Sequence, residues 1–149
     1  MATVSNCDLP EDLYYLVEKH VWARHEDGVV TVGLTDVAQN LAKGIISVSP
    51  KGVGKRVAKG RSVATVESSK WVGPFPAPVS GEITAVNEAA FIADVAVANR
   101  DPYGAGWLVR LRPRDLEGEG VHLVDGTAAF EHYKTLIEKE EIRCFRCSD

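Results

Sequence analysis

Short runs of alternating apolar and polar residues fill the first two thirds of the chain, and glycine and proline interrupt them. Two of these runs, 21–24 and 29–34, flank a loop that contains Asp27-Gly28. An Asp-Gly pair between two such runs predicts a β-hairpin, because both residues tolerate the backbone conformation of a tight turn. Closely spaced runs of this length predict an all-β sandwich or barrel. The later runs lie at 45–48, 56–58, 61–67, 79–83 and 107–111.

Apolar residues at helical spacing predict two helices. A short helix is expected over 35–41, because Thr35 is a suitable N-cap and the apolar residues after it share one face. A terminal helix is expected over 127–142 for the same reason. The residues on these two faces are Val37, Ala38 and Leu41 in the first helix and Phe130, Tyr133, Leu136 and Ile137 in the second.

Two segments fit more than one structure. Residues 9–20 suit either a short helix that begins near Pro10 or an extended lead-in. Residues 89–98 are apolar throughout, so their periodicity does not separate a helix from a buried strand. Residues 99–106 predict an irregular loop before the last strand.

Composition limits the kind of protein. The 149 residues are 45% hydrophobic, which suits one domain with a real core. A net charge of −4 argues against a nucleic-acid surface, which needs clustered cations. No apolar run is long enough for a membrane span, and the N-terminus carries no secretory pattern, so we expect a cytoplasmic protein. Three cysteines do not make a self-contained disulfide framework.

Lys70 lies in a polar turn between two strand-like segments, 62–68 and 77–83. A lysine at such a turn is held in solvent on a rigid support, which suits covalent attachment of a long flexible arm. The residues alone also allow the ordinary alternative, a surface lysine that only adds solubility.

Four sequence motifs allow a more specific interpretation of Lys70. VTVGLTDVAQ begins at residue 30, VATVESSK ends at Lys70, APVSGEITAVNE covers 77–88 and NRDPYGAGWL covers 99–108. In sequence, order and spacing they resemble the H protein of the glycine cleavage system, from about residue 15 to residue 112. The Met-Lys-Met centre of biotin carriers is absent, because Ser69 and Trp71 flank the lysine.

The resemblance implies a mainly β fold: a flattened β-barrel or sandwich of the lipoyl-domain, barrel-sandwich hybrid type, with short helices and a C-terminal helix. It implies one H-type lipoyl domain over 1–149, with a lead-in at 1–14, a β core at 15–112, and a C-terminal helix with a cysteine-containing tail at 127–149. It also implies a monomer that is not an enzyme but carries lipoate on Lys70 as a swinging arm between partner enzymes.

The residues beside the lysine would then be recognition residues. Glu67, Ser68, Ser69 and Trp71 are expected to meet a lipoate-protein ligase or lipoyl synthase, or a partner enzyme. For Glu67, a simple solvated charge at a strand end is an equal alternative. In a glycine-cleavage H protein the partners would be glycine decarboxylase, aminomethyltransferase and dihydrolipoamide dehydrogenase.

The sequence departs from the usual H-protein pattern directly after the lysine, where Trp71-Val72-Gly73-Pro74-Phe75-Pro76 replaces a polar stretch. Trp71 and Phe75 either form an exposed docking platform or pack onto the barrel edge. The segment resembles lipoate-binding proteins that accompany heterodisulfide-reductase-like complexes in sulfur oxidation. We favour a sulfur intermediate as cargo on this basis, with the aminomethyl group of glycine cleavage as the alternative. A non-lipoylated interaction protein of the same fold is a second alternative.

Other chemistry finds little support in the sequence. Cys144 and Cys147 have CxxC spacing, which suits a redox pair or half of a metal site, or two reduced and flexible thiols. A disulfide from Cys7 to either of them is a further option. The histidines have no metal-binding spacing and no nucleophile–base pair stands out, so we expect neither a metal site nor a catalytic residue. The four histidines are His20, His25, His122 and His132.

Overall fold

The computed structural model describes residues 2–145 and contains mostly short β-strands. The strands are β1 (Ala2–Val4), β2 (Cys7–Leu9), β3 (Tyr14–Leu16), β4 (Val21–Glu26), β5 (Val29–Leu34), β6 (Ile45–Pro50), β7 (Arg56–Val57), β8 (Ser62–Ser68), β9 (Val72–Pro76), β10 (Gly81–Val86), β11 (Val109–Pro113) and β12 (Val124–Asp125). The α-helices are α1 (Asp36–Ala42), α2 (Glu88–Ala93), α3 (Val97–Arg100), α4 (Leu116–Glu119) and α5 (Gly126–Lys139). Two 3-10 helices lie at Val17–Lys19 and Gly120–His122.

The strands form three sheets. Seven strands pair in the order β12-β3-β4-β5-β11-β10-β7, three pair in the order β6-β8-β9, and β1 pairs with β2. The main core lies between the two larger sheets, because side chains from both belong to one buried cluster that includes Val32, Val66 and Phe75. Burial of such apolar surface is the main force that holds the two sheets together. The prediction of a mainly β fold with short helices and a C-terminal helix is confirmed.

The structure contains the tight turn and the helix N-cap that the local sequence predicted. Asp27 and Gly28 join β4 to β5, and both have positive φ, 52° and 75°. The hydroxyl of Thr35 caps α1, where it accepts a hydrogen bond of 3.1 Å from the backbone N–H of Ala38. Residues 88–93 and 97–100 are helical, which resolves the ambiguous apolar segment in favour of helix.

The strand that follows Lys70 differs from the expected one. β9 covers Val72–Pro76 and pairs with β8, whereas the sequence predicted that the strand after Lys70 lies at 77–83. Pro74 and Pro76 lack a backbone N–H, which argues against an internal strand. β9 is an edge strand of its sheet, a position where prolines are tolerated because one side of the strand has no neighbouring strand to bond.

The apolar face expected on α1 is only partly correct. Val37 is buried, but Leu41 is 46% exposed, and the other buried residues of the helix are the polar Asp36, Gln39 and Asn40. Buried polar side chains are stable only when they are hydrogen-bonded. Here their partners include backbone groups of both terminal segments, the N–H of Asp8 and the carbonyl and N–H of Phe145.

The terminal segments form a second core. Residues 2–9, within the predicted lead-in, make the β1–β2 hairpin, and residues 10–20 contain a turn, strand β3 and a 3-10 turn. Helix α5 ends at Lys139, earlier than expected, and the chain then returns to the hairpin. The side chains buried in this second cluster include Leu9, Trp22, Tyr103, Tyr133 and Ile137.

Gly33 provides a test of this packing, because it lies opposite Trp22 and a Cβ there would come within 2.6 Å of the indole ring. The indole is fully buried and donates a hydrogen bond of 2.9 Å to the carbonyl of Pro102, so it cannot move freely. We expect Gly33→Ala to lower the free energy of unfolding by about 2 kcal/mol in urea denaturation. At Gly44 a Cβ would meet nothing within 4 Å, so Gly44→Ala is the control and should change stability by less than about 0.5 kcal/mol. Equal effects of the two substitutions would contradict this account.

Candidate functional site

The β8–β9 hairpin carries Lys70 at its tip, and the side chain of Ser68 holds the turn together. The backbone N–H of Ser68 donates to the carbonyl of Trp71 at 2.7 Å. The Ser68 hydroxyl donates to the same carbonyl at 3.0 Å and accepts from the backbone N–H groups of Trp71 at 3.1 Å and Lys70 at 3.3 Å. A buried hydroxyl with this many partners fixes the turn, as a backbone-binding serine commonly does.

Lys70 itself is exposed, and its ammonium makes no hydrogen bond or ion pair within residues 2–145. The neighbouring Ser69 is also exposed, and its backbone N–H donates to the carbonyl of Gly44 at 3.0 Å, which ties the tip to the body of the protein. The amine is therefore open to solvent on a fixed support.

The four predicted recognition residues divide into two groups. Glu67, Ser69 and Trp71 are exposed beside Lys70. Ser68 is buried and its hydroxyl is used inside the turn, so it is not available to contact a partner. The carboxylate of Glu67 accepts only a long hydrogen bond of 3.4 Å from Ser47, so this carboxylate remains accessible to a partner.

A cleft of about 660 Å³ opens directly beside Lys70. One wall is the hairpin, and the other is α1 with the start of β6 and the 3-10 turn before β4. Most of the side chains in both walls are apolar. Leu34, Ala38, Leu41, Ala42 and Ile45 line one side, and Val66, Trp71, Pro74, Phe75 and Pro76 line the other.

The structure separates the two aromatic residues that follow Lys70. Phe75 is 2% exposed and belongs to the main core, so the idea that it forms an exposed platform is wrong. Trp71 is 46% exposed and stands at the rim of the cleft, with its ring close to Gly73. Val72 next to it is 65% exposed, so an apolar rim remains beside the lysine.

His20 also borders the cleft, which the sequence gave no reason to expect. Its Nδ1 lies 3.0 Å from the hydroxyl of Tyr133 in α5. Burial lowers the pKa of His20 and raises the pKa of Tyr133 well above its usual range. Both groups are therefore neutral at pH 7, and His20 presents an uncharged ring to the cleft.

Cys144 is bonded to Cys7, 137 positions away, and not to Cys147, which lies outside the described residues. Among residues 2–145 there is no group of three or more side chains that could hold a metal ion. Within the same part of the chain, no helix is long and apolar enough to cross a membrane.

Comparison with known proteins connects this arrangement to one family. The family model described as Glycine cleavage H-protein matches residues 13–136. Glycine cleavage system H protein 5 of Aquifex aeolicus is 45% identical over 97% of this chain and 99% of its own length. Probable glycine cleavage system H protein 2 of Saccharolobus solfataricus is 46% identical over 98% of this chain and 99% of its own. The crystal structure of a glycine cleavage system H protein from Mycobacterium marinum is 34% identical, with a TM-score of 0.73 over 83% of this chain and 98% of that one.

The lowered pKa of His20 predicts how stability responds to acid. In the folded protein His20 binds a proton less readily than in the unfolded chain, so stability should fall as the pH drops below the ordinary value of 6.5. His20→Asn removes this group while keeping a residue that tolerates the positive φ of 57°. We expect the variant to lose less stability than the wild type between about pH 7.5 and pH 5.5 in urea titrations. His25→Asn, at an exposed strand position, is the matched control. If the two variants lose the same amount of stability over this pH range, the assignment to His20 is contradicted.

Proposed function

The chain belongs to the glycine cleavage H-protein family of lipoyl carriers, and from this membership we propose that Lys70 bears the lipoyl group. Members of the family carry lipoate covalently on a lysine. The observation that carries the assignment to Lys70 is its position: an exposed amine, without a partner among residues 2–145, on a hairpin whose turn is fixed by a buried serine. A modifying enzyme can reach the amine there, and the support does not move with the arm.

The surroundings of Lys70 fit a lipoyl group. Its hydrocarbon chain and dithiolane ring are largely apolar, and the cleft beside the lysine is lined mainly by apolar side chains such as Leu41, Val66 and Pro74. The S–S bond of the ring would open when the arm is loaded, so that one sulfur binds the transferred unit and the other becomes a thiol. The residues of this chain position the attachment point, and the exposed Glu67, Ser69 and Trp71 are the proposed contacts for a lipoate-protein ligase and for partner enzymes.

The first proposed role is that of an H protein in glycine cleavage. The carrier would receive an aminomethyl group at glycine decarboxylase and deliver it to aminomethyltransferase, and dihydrolipoamide dehydrogenase would reoxidise it. The relatives' names and the match to the family model support this role over the sulfur role that the segment after Lys70 favoured. The chain would itself catalyse no step, because the chemistry belongs to the cofactor and the partners.

The attachment site can be tested by mass spectrometry. Incubation with a lipoate-protein ligase, lipoate and ATP should add one lipoyl group to the wild type and none to Lys70→Arg, because arginine lacks the reactive amine. Lys55→Arg, at an exposed turn elsewhere, is the matched control and should be modified like the wild type. Modification of Lys70→Arg would show that another lysine is the site. A wild type that stays unmodified would favour the non-lipoylated interaction protein.

The chemistry of the cleft favours a second role, the transport of a sulfur intermediate for a heterodisulfide-reductase-like complex. Among the described residues that line the cleft, Glu18 is the one carboxylate, whereas Lys19 is cationic and His20 is neutral. An apolar wall stabilises a protonated amine poorly, because the amine loses its hydration there. Neutral sulfur species suit such a lining better, and the Trp71-Val72-Gly73-Pro74 segment points in the same direction.

A loading assay separates the two roles. Lipoyl protein with its dithiolane ring in the oxidised form, whose S–S bond accepts the two electrons released on decarboxylation, is incubated with glycine decarboxylase, pyridoxal phosphate and isotopically labelled glycine, and the protein mass is followed with time. The first role predicts that label accumulates on the carrier at a rate within about tenfold of that of a glycine-cleavage H protein run in parallel. Failure to load, while the reference protein loads fully, would contradict the first role and leave the sulfur role.

A further inference from the structure

The two ends of the chain are joined by the Cys7–Cys144 disulfide, which lies entirely inside the protein. Both cysteines are 0% exposed, and their Cα atoms are 4.8 Å apart. The backbone N–H of Cys144 donates to the carbonyl of Ser5 at 3.1 Å, and the amide of Asn6 donates to the carbonyl of Cys144 at 2.8 Å. The tail that follows α5 is thus fastened onto the β1–β2 hairpin. We call this junction, made of residues 5–8 and 144–145, the clasp.

The clasp is hydrogen-bonded to the polar face of α1. The amide of Gln39 donates to the carbonyl of Phe145 at 2.9 Å, and the backbone N–H of Phe145 donates to the side-chain oxygen of Asn40 at 2.9 Å. On the other side, the backbone N–H of Asp8 donates to the carboxylate of Asp36 at 2.8 Å. The buried polar side chains of α1 therefore find their partners in both terminal segments.

The opposite face of the same helix forms a wall of the cleft beside Lys70. Ala38, Leu41 and Ala42 line the cleft, whereas Asp36, Gln39 and Asn40 face the clasp. Helix α1 has only seven residues and moves as a rigid unit. A displacement of its polar face therefore also displaces the face that lines the cleft.

A second connection runs from α1 to β6. The side-chain oxygen of Gln39 accepts a hydrogen bond of 3.0 Å from the amide of Asn99, and Asn99 in turn accepts from the backbone N–H of Ile45 at 2.9 Å. Ile45 begins β6, lines the cleft and pairs with Ser68 at the end of β8. The contacts from the clasp thus lead to the base of the hairpin that carries Lys70.

We propose that the Cys7–Cys144 disulfide is a reversible redox clasp that holds α1 in place as the wall of the cleft. Reduction by a dithiol cleaves the S–S bond. Two electrons and two protons pass to the cysteines, which become thiols, and the reductant closes to its own disulfide. The released tail no longer fixes the polar face of α1, and the cleft widens. The consequence for the arm rests on the proposed lipoylation of Lys70.

Two features favour a reversible clasp over a permanent staple. In the described part of the chain, the β1–β2 hairpin that carries Cys7 is a two-stranded sheet separate from the two larger sheets, so its local opening can expose the buried bond without disrupting them. The proposed cofactor in its reduced form is itself a dithiol, so a reductant of the class that cleaves this bond is present on the carrier.

Hydrogen exchange of the unlipoylated protein, measured by mass spectrometry before and after dithiothreitol, tests the clasp independently of the cofactor. We expect amides of α1 to exchange on the order of tenfold faster after reduction, with β4 and β5 unchanged. Cys144→Ser should exchange like the reduced protein even without dithiothreitol. Cys147→Ser is the matched control and should behave like the wild type in both states.

Two other outcomes would overturn the proposal. Faster exchange confined to residues 2–9 and 140–145 would mean that the bond does not act on α1, and equal acceleration throughout would mean that reduction unfolds the protein. Non-reducing peptide mapping that joins Cys7 to Cys147 would also overturn it. In the lipoylated protein, the reduced arm of Cys144→Ser should be alkylated several-fold faster than that of Cys147→Ser. If the arm is alkylated at equal rates in the two variants although the amides of α1 exchange faster in Cys144→Ser, then α1 does not shelter the arm.

Discussion

The turn that carries Lys70 depends on the buried hydroxyl of Ser68, which is hydrogen-bonded to the backbone of Lys70 and Trp71. A buried hydroxyl that loses its partners is costly, so the turn has one preferred geometry. Ser68 is also paired with Ile45 in β6, and the N–H of Ser69 reaches the carbonyl of Gly44. An exposed lysine is thereby fixed at one point above the cleft, which is the proposed attachment point of the arm.

Helix α1 connects this point to the rest of the molecule. Most surface helices have one apolar face toward a core and one polar face toward solvent. In α1 three of the four apolar residues, Ala38, Leu41 and Ala42, instead line the open cleft, and the polar residues are buried against the terminal segments. The buried amide of Asn99, which contacts both Gln39 and Ile45, shows that this interior is organised by hydrogen bonds as well as by apolar packing. Such polar networks specify one arrangement of their elements when all members are satisfied.

Features set by neighbouring residues could be predicted from the sequence. The Asp27-Gly28 turn and the Thr35 cap are local, and Lys70 was found because motifs around it keep a fixed spacing. Features that depend on distant partners could not. β9 was missed because its prolines are compatible with a strand only at a sheet edge, which the sequence does not reveal. The partner of His20 is Tyr133, 113 positions away, and no spacing pattern records that contact.

The central claim is that this chain is a carrier whose arm is attached to Lys70. The most direct measurement is peptide-level mass spectrometry of the protein isolated from its native host, with the mass of each lysine-containing peptide determined. The account predicts a lipoyl group on the peptide that contains Lys70, at the tip between β8 and β9, and on no other lysine. An unmodified Lys70 in the native protein, or a lipoyl group on a different lysine, would contradict it.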